Sequence, residues 1–157
     1  METNKQLYKL LFKNEEKRTL IIKEFEEYLN LNIKGIESDW KLNGEIDINN
    51  QKYNEYSENV LQEIQKLNDE LKNISENESD EFKKDIKMLL SLESENYNIT
   101  LNIFINKVKC FDLIKDDEDK TKIEKREKEI LSLREDLSSI REQINDFITN
   151  LKYKYLY

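Results

Sequence analysis

Seven apolar residues towards the end of the chain, Ile130, Leu133, Leu137, Ile140, Ile144, Phe147 and Leu151, alternate three and four apart without a slip. An α-helix brings such positions onto one stripe, and a stripe this narrow needs another helix to cover it. A second run, Tyr53, Tyr56, Val60, Ile64, Leu67, Leu71 and Ile74, is also spaced in threes and fours. Two heptad stripes in one chain of 157 residues point to helices packed side by side. The chain has no proline and two glycines, so little in it interrupts a long helix. Part of that scarcity is a codon effect. The 22 lysines against 4 arginines, the 18 asparagines, the 18 isoleucines and the missing alanine are the bias of an AT-rich genome, so periodicity carries the argument.

The remaining segments fit between and around these stripes. Leu7, Leu10, Leu11, Ile21, Ile22, Phe25, Tyr28, Leu29 and Ile33 mark an amphipathic first helix over about 4–34, with Gly35 as its expected stop. In 36–49, Trp40, Leu42, Ile46 and Ile48 alternate about Asn43-Gly44, which predicts a short β-hairpin or an ordered loop. The second helix covers 51–74, and the polar tract 75–81 is a turn in which Ser79 or Asp80 caps the next helix. A third helix over 81–115 has the broadest apolar face, although Tyr97 to Asn106 alternates apolar and polar residues and offers a strand as the local alternative. Acidic residues from Asp116 to Asp119 precede a fourth helix over 120–153, where a helix dipole favours negative charge. The expected fold is all-α: one domain, 1–157, an elongated antiparallel bundle of four long helices with coiled-coil-like seams.

Composition removes whole classes of chemistry. With no histidine, Ser-His-Asp and Cys-His triads, zinc fingers, HExxH sites and the Glu-x-x-His di-iron bundle are excluded. Cys110 stands alone, so no internal disulfide forms, and its expected place is the apolar face of the third helix. The chain contains no run of eighteen apolar residues, so no membrane span is expected. The polar opening METNKQ and the single cysteine lead to the expectation of a cytoplasmic protein. The sequons at Asn73, Asn77 and Asn98 then follow from asparagine abundance alone.

The formal charge of −8 is unevenly spread, for residues 35–82 hold 13 acidic and 4 basic side chains. Glu55, Glu58, Glu63, Asp69 and Glu70 form a candidate acidic face on the second helix. Such a face repels phosphate, and no basic stripe with interleaved aromatics appears, so direct nucleic-acid binding is not expected. Carboxylates at Glu15, Glu16, Glu24, Glu26, Glu27, Glu93 and Glu95 could pair for acid–base work, but their spacing beside lysines places them mostly on outer faces. Two apolar features are candidate partner contacts. Trp40 with Leu42 lies in the least helical stretch, and the tail Leu151, Tyr153, Tyr155, Leu156 and Tyr157 interleaves aromatics with Lys152 and Lys154.

No catalytic, metal-binding or cofactor-binding constellation emerges, so the expectation is a non-enzymatic protein that needs no cofactor. It would bind a protein partner, or a second copy of itself, through its heptad stripes, as an adaptor or scaffold does. In outline, a small acidic helical chain with a long C-terminal heptad helix is similar to flagellar and secretion export chaperones and to assembly adaptors. That similarity of architecture implies a chaperone-like role. The alternative is an acidic charge mimic, of the phage or mobile-element type, that occupies the basic groove of a nucleic-acid enzyme.

Overall fold

The computed structural model describes residues 2–42, 51–116 and 119–156, with side chains described for 5–30, 55–110, 112–114, 116 and 119–156. These residues form α1 (Glu2–Leu42), α2 (Gln51–Ser75), α3 (Asp80–Lys115) and α4 (Lys120–Tyr155), with no strand among them. The all-α bundle expected from the heptads is the architecture observed. Tyr97 to Asn106 is helical, because both flanks are helical in period and the segment lies inside α3.

Local chemistry explains the ends of the helices. Ser79 caps α3, its hydroxyl accepting from the Phe82 amide at 3.2 Å, and Asp80 and Glu81 sit in the first turn, where the dipole favours them. Asp119 caps α4 by accepting from the Thr121 amide at 3.2 Å. Gly35, expected to stop α1, does not: the helix runs on to Leu42, so 36–42 is helical rather than one arm of a hairpin. Glycine permits a helix stop without imposing one, and no proline follows to enforce it. Residues 43–50, the rest of the expected hairpin, lie outside the described residues.

The chain runs up, down, up and down. At one end Leu11 and Phe12 of α1 meet Leu71 of α2, Phe82, Ile86 and Leu89 of α3, and Leu151 of α4, so the start of each odd helix lies beside the finish of each even one. Further along, Ile22, Phe25 and Leu29 pack with Val60, Ile64, Phe104 and Val108, a core made by α1, α2 and α3. A third core belongs to α3 and α4 alone, where Ile103 packs with Leu137, Ile140 and Ile144. Helix α3 thus touches every other helix, and α4 lies closely along it. The described residues of both heptad stripes face inward, and the residues they bury are spent inside the chain.

Candidate functional site

Two of the cores are separated by a layer that is not apolar. On α1 the seam between Phe12 and Ile22 is filled by Asn14, Glu15 and Arg18, and on α3 the seam between Leu89 and Ile103 is filled by Glu93, Asn96 and Thr100; all six are buried. Arg18 is fully buried, and it donates from Nη1 to Glu15 Oε2 at 3.0 Å and from Nη2 to Asn68 Oδ1 at 2.8 Å. Asn14 donates from Nδ2 to the Leu67 carbonyl at 2.9 Å, which ties α1 to α2 at the same level. Arg18 Nε and Asn14 Oδ1 find no protein partner. Hydrogen-bonding capacity therefore remains at the centre of the bundle.

The Glu15 carboxyl, 6 % exposed, is hydrogen-bonded to Glu93, 5 % exposed. Burial first, then the hydrogen bond and charge of Glu93, push the Glu15 carboxyl up to about 9, against the lowering pull of Arg18. Glu15 therefore keeps its proton at neutral pH, with Arg18 3.0 Å away on its other side. Isolated charges would not survive at this depth.

The pair opens towards a groove between α1 and α4. One cleft of about 420 Å³ is lined by Thr19, Ile22, Lys23 and Glu26 of α1, Glu93 and Asn96 of α3, and Arg141, Ile144 and Asn145 of α4. A second, of about 270 Å³, shares Thr19, Ile144 and Asn145 with it and is also lined by Glu15, and a third, of about 210 Å³, shares Glu26. Shared walls make the three clefts one groove. Arg141 straps across it, donating from Nη2 to Glu26 at 2.9 Å and from Nε to Asn96 Oδ1 at 3.1 Å, joining α4 to α1 and α3. The groove closes at the helix-end core, where the Tyr155 ring stacks on Tyr8 at 4.4 Å and its hydroxyl donates to Asp85. Lys154 pairs there with Glu81 at 2.7 Å and Asp85 at 2.8 Å. Those carboxylates hold the Lys154 ammonium well above the ordinary lysine range, and burial and then Asp85 raise the Tyr155 phenol. No group of three or more Asp, Glu, His or Cys able to hold a metal occurs among the described residues.

The candidates taken from the sequence fall in different places. Glu55, Glu58, Glu63, Asp69 and Glu70 are all exposed on α2, away from the groove. Leu151 is buried and Tyr155 and Leu156 are half-buried in the helix-end core, whereas Tyr153 is 67 % exposed; Tyr157 lies outside the described residues. Trp40 and Leu42 fall in the last turn of α1, and their side chains are outside the described residues. Cys110 is buried, and burial raises its thiol. The expectation that the carboxylates lie on outer faces holds for Glu16, Glu24, Glu27 and Glu95 but is corrected at Glu15 and Glu93. Those two occupy inward seam positions, where the proton kept by Glu15, its hydrogen bond to Glu93 and the nearby Arg18 offset the cost of burial.

The signal that marks this layer lies in the arginines. In a chain so rich in lysine, three of the four arginines bridge to Asn or Glu with their forked donors: Arg18 to Asn68 and Glu15, Arg126 to Asn106 at 3.0 Å, and Arg141 to Asn96 and Glu26. A planar guanidinium can serve two acceptors at once, which an ammonium does with less geometric control. Comparison with known proteins gives no relative: no family model, curated protein or solved structure matches the chain.

Proposed function

We propose that this chain is a non-enzymatic binding protein that engages a basic protein surface through the outer face of α2. The supporting observation is the fate of the heptad stripes. Because the α2 and α4 stripes pack inside the bundle, the surfaces left for a partner are mostly polar and charged, with single exposed apolar side chains such as Leu20, Leu61, Met88 and Leu131 set among them. Among these the outer face of α2 is the most uniform in sign. At 100° per residue, Glu55, Glu58, Glu63, Asp69 and Glu70 fall within an arc of about 140°, turned away from the Val60–Leu71 stripe. Between Glu55 and Glu70 only Lys66 interrupts the acidic run. Dense charge of one sign steers a partner of opposite sign and gives specificity more than raw affinity. An adaptor that docks on a basic subunit and a charge mimic that fills a basic groove would both use such a surface.

The test is a comparison of two baits at two ionic strengths. Tagged full-length protein and a variant carrying Glu58→Lys, Glu63→Lys, Asp69→Lys and Glu70→Lys are used to recover bound proteins at low and moderate salt. The proposal expects proteins bound through a basic surface that are lost with the variant and weakened as salt rises. Partners retained equally by both baits would refute it.

A further inference from the structure

We infer that the α1–α4 groove of one copy is the basic surface that receives the acidic face of α2 from a second copy, so that the chain assembles head to tail; this rests on the reading of α2 given above. The groove is positive on a protein whose formal charge is −8. Its acidic members are largely accounted for, since Glu26 is held by Arg141, Glu15 keeps its proton beside Arg18, and Glu93 is buried against Glu15. What remains along its walls is Lys23, Arg134 and Lys152, against Glu16. Lys23 and Arg134 are exposed.

Dimensions agree as well as sign. From Glu55 to Glu70 the acidic face extends about 22 Å along its helix, and from Arg134 to Lys152 the basic wall extends about 27 Å. A helix ridge set into the trough between two helices is an ordinary mode of packing. No residue of α2 lines the groove, so both surfaces are available on the same molecule at once. The two surfaces differ, which makes the contact heterologous. A contact of that kind adds copies in an open series unless its rotation happens to close a ring. Any other mutual approach of two copies with this net charge meets repulsion, which favours the one register that pairs opposite signs.

Light scattering on full-length protein eluting from gel filtration, over a concentration series, reads this directly. The average mass should climb with concentration past that of two copies. A groove variant, Lys23→Glu with Arg134→Glu, should stay monomeric, and so should the α2 variant with Glu58→Lys, Glu63→Lys, Asp69→Lys and Glu70→Lys. Every substituted side chain is exposed, and circular dichroism confirms that helix content is kept. Mixing the two variants should restore assembly, because each then presents one reversed surface to match the other's. Wild type that remains monomeric at every concentration, or a mixture that stays monomeric, overturns the assignment. If wild type is monomeric while the α2 reversal still releases a basic partner, the groove assignment alone fails. If the α2 reversal changes neither mass nor partner, both readings fail.

Discussion

Helix α4 has two long sides that were built by different means. Towards α3 it presents Leu137, Ile140 and Ile144 to Ile103, with Leu133, Leu92 and Ile99 beside them, an apolar seam with polar bridges at its margins, from Arg126 to Asn106, Arg141 to Asn96 and Lys154 to Asp85. Towards α1 it presents Arg141, Asn145 and Lys152 to a groove crossed by one ion pair. The first side is held by removing apolar surface from water, which has no directional requirement and scales with area. The second is held by a few polar contacts that need particular partners and leave room between the helices. A bundle made this way is firm where α3 packs on α4 and where α1, α2 and α3 share a core, and the gap between α1 and α4 is left as an open surface.

The largest effect is expected at the polar layer that both sides border. Arg18→Ala leaves the buried Glu15 and the half-buried Asn68 without their cation, and it should lower stability by about 4 kcal/mol in urea unfolding followed by circular dichroism. A loss no larger than that of an exposed arginine would mean that the layer opens to water on its own. Ile140→Ala strikes the apolar side of α4 instead. Deleting three buried carbons from a seam that cannot collapse should cost about 3 kcal/mol, and the same titration measures it.

How far these features can be read from the sequence follows the same division. The α4 stripe and the α2 stripe were legible because every seam position is apolar, and a period needs no knowledge of the partner. The continuation of α1 through Gly35 was not, because a glycine and an Asn-Gly pair carry turn propensity that the surrounding helix overrides. Glu15 and Glu93 were hidden for another reason. A carboxylate beside lysines has the same local pattern on a solvated face as in a seam, and only the approach of Arg18 and of the opposite helix decides between them. The gap in α1 between Phe12 and Leu20 is visible in the sequence as missing apolar residues, and the rare arginine within it is the residue that fills the gap.

The proton held by Glu15 gives the comparison a pH axis. Glu15 binds its proton more tightly in the folded chain than at its ordinary value of 4.5, so its favourable contribution is complete below that pH and is lost as pH rises towards about 9. Wild-type stability should therefore decline across that window. Glu15→Gln keeps a donor for Glu93 and an acceptor for Arg18 without a proton to lose. It should flatten the decline and raise stability by about 2 kcal/mol at neutral pH. Urea midpoints at several pH values decide this, and a variant whose profile is as steep as wild type would place the titration elsewhere.

The smallest effect is expected at the strap, and its smallness is informative. Arg141 and Glu26 are each about a third exposed, at 37 % and 34 % of their side chains, so water and salt screen their attraction. A double-mutant cycle with Arg141→Ala and Glu26→Ala should give a coupling of about 0.5 kcal/mol that falls as salt is added. A strap of that strength can hold α1 in register without welding it to α4, which is the condition for the groove to remain a surface. A coupling near the cost of Ile140→Ala would reverse the conclusion, for the polar side of α4 would then be as much a structural seam as the apolar one, and nothing on that side would be left for a partner to enter.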